Sequence, residues 1–309
     1  MVAGRPSPWK VTSVLLHCPA HSHRFVRQPL SSGSEGGFRC PFVRSSLFRS
    51  RYDPVMSPLL FELLLAPLVM VQGRRVRRLT PLLPEAAGPR KGVAGRGAPV
   101  LQVLIAGDSS AAGVGVVRVQ DAMAGLFPAS LAARLDRPVS WRLIARTGLT
   151  ASGLLALLRT ELSDHAPAFD VVVIVVGVND VTARRPLGEW LSDLQALREL
   201  LAALAPAAQI VWSGLPPMHR FPVLPNPLRA YLGARARQFD AALVRWVATD
   251  PAMRHLPIPA LQGEELMASD GFHPGPQGHR LWGELLTQAV AQILDITRPS
   301  PPDAPPGGQ

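Results

Sequence analysis

Cysteine is nearly absent from this chain: two in 309 residues, Cys18 and Cys40. Everything after residue 40 must hold its shape without a disulfide, and cysteine usage does not fix the redox compartment of that part. Aromatic residues are scarce, at 6%. After residue 100 no His/Cys cluster has metal-ligand spacing, so no metal is expected. A Gly-x-Gly-x-x-Gly following a strand and a Gly-Lys-Ser/Thr loop are both missing, which leaves nucleotide phosphates without a recognisable cradle. No cofactor is expected. No apolar run reaches the roughly 20 residues that a membrane-spanning helix needs.

Positive charge is plentiful but uneven. Residues 1–100 hold 15 Lys+Arg and 4 Asp+Glu, a net of +11, whereas residues 101–309 hold 17 and 18, a net of −1. The basic character therefore belongs to the N-terminal third. No basic stripe with interleaved aromatics follows residue 100, so nucleic acid is not an expected partner.

Residues 1–55 are rich in Arg, Ser, Gly and Pro and lack a sustained apolar period, which reads as a disordered extension. Two accounts of it stay open, a basic targeting arm or an over-called start with Met56 as the first residue. Residues 58–71 are strongly apolar, and Arg74, Arg75, Arg77 and Arg78 follow. Glu62 and Pro67 argue against a membrane span, and the order of charge and apolar run is the reverse of a secretory leader. The segment 56–79 then reads either as a helix lying at a membrane surface through residues 58–78 or as one packed on the protein itself. The expected location is cytoplasmic, with membrane association in the first of these two cases. Residues 80–100 read as a Pro/Gly/Arg linker, and residues 298–309 as a Pro-rich tail.

Between them the pattern alternates in the βα manner. Strands are expected at 101–106, 139–145, 170–176, 208–213 and 254–258. Helices are expected at 119–135, 150–163, 189–204, 228–248 and 275–294. Such alternation predicts an α/β domain over 101–297, with about five parallel strands between two helical layers.

The first strand ends in Gly107-Asp108-Ser109-Ser110 and runs into the small-residue turn Ala111-Ala112-Gly113-Val114-Gly115. A serine hydroxyl is thereby set at the carboxyl edge of a buried strand, where open α/β sheets build their sites. A helix cap or a phosphate cradle would use the same residues, and Asp108 suits a turn-fixing role. Of eight histidines, only His273 has an acidic residue three positions earlier in a Gly-containing turn, Asp270-Gly271-Phe272-His273. In such a turn the carboxylate can hold one ring nitrogen and leave the other for a serine. His279, farther along the next helix, is expected in solvent.

With Gly148 and Gly177-Val178-Asn179-Asp180 between them, these blocks resemble the SGNH (GDSL-type) family of serine esterases and lipases. The likeness covers roughly residues 101–295. The wording of Gly-Asp-Ser-Ser-Ala-Ala-Gly-Val-Gly, Ala-Arg-Thr-Gly and Gly-Val-Asn-Asp-Val-Thr is most similar to a bacterial subgroup associated with long-chain N-acyl amino acid biosynthesis. The resemblance implies a flavodoxin-like three-layer α/β/α sandwich. It implies Ser109 as nucleophile, His273 as base and Asp270 as its orienting partner. The oxyanion would be held by the N–H groups of Ser109 and Gly148 and by the Asn179 amide, with Gly153 as a competitor to Gly148.

The Pro-rich loop 215–225 follows the fourth strand on the same sheet edge. Met218, Phe221 and Leu224 are expected either along an acyl groove or under a covering loop. The expected activity is hydrolysis of acyl, above all fatty-acyl, esters or thioesters through an acyl-enzyme on Ser109. A carbohydrate O-deacetylase of the same fold and an inactive membrane-tethered scaffold are the competing readings.

Overall fold

Val103, Leu104 and Ile105, like Val171 to Ile174, are almost wholly shielded from solvent, as befits strands covered on both faces. In the computed structural model the described residues are 58–162, 168–259 and 264–296. The extension 1–55 and the tail 298–309 lie outside them. The elements in chain order are α1 (Pro58–Leu79), β1 (Lys91–Ala94), β2 (Leu101–Gly107), α2 (Met123–Leu135), β3 (Val139–Ala145), α3 (Ala151–Glu161), β4 (Val171–Val175), α4 (Val178–Thr182), α5 (Leu187–Leu204), β5 (Gln209–Ser213), α6 (Leu228–Val247), β6 (Met253–Leu256) and α7 (Pro276–Ile296).

The sheet runs β1-β3-β2-β4-β5-β6. Five strands are parallel, and β1 pairs antiparallel to β3 at the edge. The parallel part has the flavodoxin-like order, with β2 central and the chain switching from its β3 side to its β4 side. Alternate residues of each strand enter two separate cores. Leu104, Ala106, Val172 and Ile174 meet α3, α5 and α6, including Trp190 and Phe239. Val103, Ile105, Val171 and Val173 meet α2 and α7, including Phe127 and Leu286. The result is the three-layer α/β/α sandwich expected from the alternation.

Two expectations need correction. The stretch 80–100 is not a plain linker, because β1 forms within it and covers one sheet edge. Its four residues Lys-Gly-Val-Ala are too short and too exposed to show an apolar period. Arg90 ties it down further, donating to the Ala145 carbonyl at 2.6 Å and pairing with Glu85. His279 is not in solvent but fully buried. It lies on the face of α7 that carries Trp282, Leu286 and Val290, which packs on α2.

Helix α1 rests one face on the body. Val69 is buried, and Gln72 bridges to the start of α6, donating to the Asn226 carbonyl at 2.8 Å and accepting from the Leu228 N–H at 3.0 Å. Its other face leaves Leu68 and Val71 exposed. No helix among the described residues is long and apolar enough to cross a membrane.

Candidate active site

Each strand at the switch point delivers one polar residue to the carboxyl edge. The backbone leaves β2 at Gly107, and the Asp108 N–H still reaches across to the Val175 carbonyl at 2.9 Å. The chain then turns tightly, with the Asp108 carboxylate accepting from the Ser110 N–H at 3.0 Å. This is the turn-fixing contact that suited Asp108. Ser109 is held at the head of the turn, 7% exposed. Gly115 lets the loop close on the next element. A Cβ there would lie 2.1 Å from the Pro274 carbonyl oxygen, and its φ of +108° disfavours any side chain.

That next element is the turn Asp270–His273. The Asp270 carboxylate accepts from the N–H groups of Phe272 and His273, at 2.9 and 3.0 Å, and meets His273 Nδ1 at 2.6 Å. His273 Nε2 lies 2.9 Å from Ser109 Oγ. A carboxylate on Nδ1 favours the tautomer in which Nδ1–H donates and Nε2 accepts from the serine hydroxyl. Burial pushes the Asp270 carboxyl upward, but the hydrogen bonds from His273 and the two backbone groups outweigh it and hold it below its ordinary range. The His273 ring is flanked by Phe272 at 5.3 Å, which meets Phe221 edge-on at 5.1 Å. Ser109 and the distant turn that carries Asp270 and His273 thus form one hydrogen-bonded line.

Gly148 follows β3 in an exposed turn with φ +84° and open space on its Cβ side. Among the described residues no hydrogen bond engages its N–H or that of Ser109. The Gly153 N–H, by contrast, is directed to Thr150 Oγ1 at the start of α3. Asn179 sits in α4 just past β4, and its amide donates to the Leu149 carbonyl at 2.9 Å, leaving the second amide hydrogen available. Asp180 is fully buried and accepts from the Ala151 N–H at 3.1 Å, which locks α4 to the start of α3. Burial raises the Asp180 carboxyl to about 6 even though Ala151 and Arg185 favour its charge.

Sequence reasoning missed Glu85. Its Oε1 accepts from the Thr147 N–H at 2.6 Å, so the stretch before β1 fixes the turn that carries Gly148. The only signal was an acid among basic neighbours. It also missed what faces the site across an open groove of about 620 Å³. One wall comprises Gly148, Asn179 and His273. The facing wall comprises Val69, Met70 and Val76 of α1 with Leu82 and Leu83 beyond it. A second cavity, of about 30 Å³, lies beside Ser109 and is bounded by Phe221, Ile258, Met267 and Trp282.

The three loop residues expected along a groove part company. Leu224 lines the large groove and Phe221 the small pocket. Met218 lines neither of them and is fully buried in the core. The reason lies on α6, where a Cβ at Gly233 would come within 2.5 Å of His219 Cβ. The glycine lets the turn Met218–Arg220 settle onto the helix, which directs Met218 inward. Among the described residues no group of three or more His, Cys, Asp or Glu could hold a metal ion.

The family model described as "GDSL-like Lipase/Acylhydrolase family" matches residues 105–281. The chain is 26% identical over 216 residues to "GDSL-like esterase Rv1075c" of Mycobacterium tuberculosis, covering 66% of this chain and 68% of that protein. Among solved structures it resembles the psychrotrophic esterase EstA from Pseudoalteromonas sp., with a TM-score of 0.51 and 19% identity over 63% of this chain and 98% of that one. It also resembles a carbohydrate esterase family 2 enzyme from Corynascus thermopiles, with a TM-score of 0.50 and 17% identity over 65% and 69% of the two chains. These structural likenesses show a shared fold. The family match spans more than half of the chain and runs from β2 into α7, so this protein belongs to the GDSL-like lipase/acylhydrolase family and is a carboxylic ester hydrolase.

Proposed function

We propose that the protein hydrolyses fatty-acyl esters or thioesters through an acyl-enzyme on Ser109. The observation that carries this reading is the apolar groove that opens beside His273, Gly148 and Asn179. Its volume of about 620 Å³ lies within the range of small-molecule sites.

In the first step Ser109 Oγ attacks the acyl carbonyl while His273 Nε2 takes the hydroxyl proton. Asp270 keeps the imidazolium oriented and balances its charge. The oxyanion settles among the N–H groups of Ser109 and Gly148 and the free amide hydrogen of Asn179. His273 then returns its proton to the leaving oxygen or sulfur as that bond breaks. A water molecule, deprotonated by His273, attacks the acyl-enzyme, and the same proton passes to Ser109 as the acid departs.

A second reading has its own support. The cavity of about 30 Å³ beside Ser109 suits a very short acyl group, with a large alcohol in the groove. That arrangement would make the enzyme a carbohydrate O-deacetylase. Helix α1 supports a further part of the proposal, attachment to a lipid surface. Leu68, Val71 and Leu79 are exposed on it beside Arg75 and Arg78.

The test is hydrolysis of p-nitrophenyl esters from acetyl to palmitoyl, with Ser109→Ala alongside. Activity should rise toward six carbons or more and fall by about 10⁴-fold or more in kcat in the variant. Activity confined to acetyl would favour the deacetylase. Undiminished activity in Ser109→Ala would remove Ser109 from the reaction.

A further inference from the structure

The groove beside the site is apolar along its length but not neutral. Arg74 and Arg77 line it from α1, and Arg184 lines it from the end of α4. The one carboxylate among its lining residues is Asp270, which His273 already engages. Among the described residues neither the Arg74 nor the Arg77 side chain has an ion-pair or hydrogen-bond partner. The other two arginines of the cluster, Arg75 and Arg78, do not line the groove.

Arg184 carries an independent sign of purpose. Helix α4 ends with the Arg184 N–H donating to the Val181 carbonyl at 3.1 Å and the Arg185 N–H to the Asp180 carbonyl at 3.0 Å. This is the Schellman ending, whose left-handed residue is usually glycine. Here that residue is Arg184, with φ +59°. A long side chain in the left-handed region is strained, and strain of this kind gathers at functional positions. Among the described residues the guanidinium forms no ion pair. It lies over the Tyr231 ring, 5.8 Å from the centroid, and this contact steadies it at the groove.

We infer that Arg184, together with Arg74 and Arg77, recognises an anionic group carried by the acyl-ester substrate, so the preferred substrate is an acidic amphiphile. The inference rests on the fatty-acyl reading above and names the substrate class within it. A cleft with low-dielectric walls and one sign of charge concentrates ligands of the opposite sign. The anion could belong to the acyl half or to the leaving half of the ester.

Three chromogenic probes separate these cases in the full chain. One is the p-nitrophenyl monoester of a long dicarboxylic acid. The second is a 4-acyloxybenzoate, and the third is its trimethylammonium counterpart. Relative to the trimethylammonium probe, and corrected for spontaneous hydrolysis, one carboxylate probe should show an advantage in kcat/KM of about tenfold or more at low ionic strength. The advantage should shrink in salt. It should fall toward one in Arg184→Gly and in Arg74→Gln/Arg77→Gln. Arg184→Gly is expected to fold, because glycine takes this backbone conformation with the least strain. The probe that loses its advantage tells which half carries the anion.

A ratio near one in the parent protein, or a ratio that the variants leave untouched, overturns the inference while the fatty-acyl reading stands. A selectivity that appears only with anionic vesicles would assign the arginines to a lipid surface and also overturns it. Should no probe be hydrolysed by folded protein, the catalytic reading fails and binding decides. Dodecanoate should bind the Ser109→Ala protein more tightly than dodecyltrimethylammonium, and adding Arg184→Gly should erase the difference.

Discussion

On the sheet side of the groove, the residues nearest the chemistry are held by hydrogen bonds to backbone, to the buried carboxylates of Asp180 and Asp270, or to the half-buried Glu85. Asn179 is pinned to Leu149, Thr147 to Glu85, Ala151 to Asp180, and His273 to Asp270. On the helix side, α1 is held by Val69, by the partly buried Leu65 and Val76, and by the two bonds of Gln72. Moving Asp180 or Asp270 away from its partners would strand a buried carboxylate, at a cost of about 1–3 kcal/mol or more for each group. The helix wall can shift at the expense of a few contacts. Reaction geometry needs the first kind of support, whereas a surface that admits chains of differing length is served by the second.

The sharpest break in this contrast is Asn179→Ala. On the proposed mechanism it takes an oxyanion donor from the rigid wall and should lower kcat by about 10²–10³, with KM moving far less. Steady-state kinetics on one ester decides it. A loss confined to KM would shift Asn179 from transition-state stabilisation to binding.

Next comes the toll of holding the rigid wall together. Burial raises the Asp108 carboxyl from 3.8 to about 7, against the lowering effect of its Ser110 bond. Between those values the folded protein binds more protons than the unfolded chain. Asp108 therefore stabilises the fold most at low pH, and its contribution declines as pH rises toward 7. An asparagine in its place would stay neutral and still accept from the Ser110 N–H. Asp108→Asn should accordingly match the parent near pH 4 and become the more stable protein by pH 7, with a slope of at most about 1.4 kcal/mol per pH unit. Urea unfolding at pH 4, 5.5 and 7 measures the slope. A gap that does not change with pH would mean that Asp108 is charged throughout.

The helix wall should respond in a different currency. Gln72→Ala loosens α1, so KM for decanoyl and longer esters should rise by about threefold to tenfold while acetyl turnover changes by less than about twofold. Equal effects on all esters would make α1 a general support and not a wall for the chain. The smallest effect belongs to its outer face. Leu68→Ser with Val71→Ser should lower co-sedimentation with anionic vesicles by a few-fold and leave hydrolysis of soluble esters as it was. Undiminished vesicle binding would take the lipid surface out of the proposal.

The same contrast governs how much could be read in advance. The β2, β4 and β5 strands were legible because a strand buried on both faces has little choice but Val, Ile and Leu. Ser109, Asp270, His273 and Asn179 were legible because they sit in short blocks whose order follows the strand ends. Helix α1 showed its apolar character, but an apolar segment looks the same whether it lines a groove or meets lipid. Glu85 and Arg184 gave no local pattern, since their roles depend on partners 62 and 47 positions away. His279 could have been read correctly. It falls three and seven residues before Trp282 and Leu286, on the apolar stripe of α7, and burial is what its position called for. Its Nδ1 accepts from the Met123 N–H at 3.2 Å and its Nε2 meets the Val114 carbonyl at 3.1 Å, so that stripe also buttresses the Ser109 loop.

The antiparallel edge strand bears on where the protein can be cut. Pairing of Lys91–Ala94 with Val139, Ser140, Trp141 and Arg142 occupies the outer rim of β3. A chain shortened to begin near residue 95 would keep every residue at the strand ends. It would bare that rim, whose unpaired donors and acceptors form a template for another copy. It would also release Thr147 from Glu85, and with it the turn that presents Gly148. Loss of solubility and loss of rate would then arrive together from a cut made well outside the catalytic blocks, so a fragment that keeps the sheet and the Gly148 turn begins no later than Glu85, and one that also keeps the groove wall includes α1.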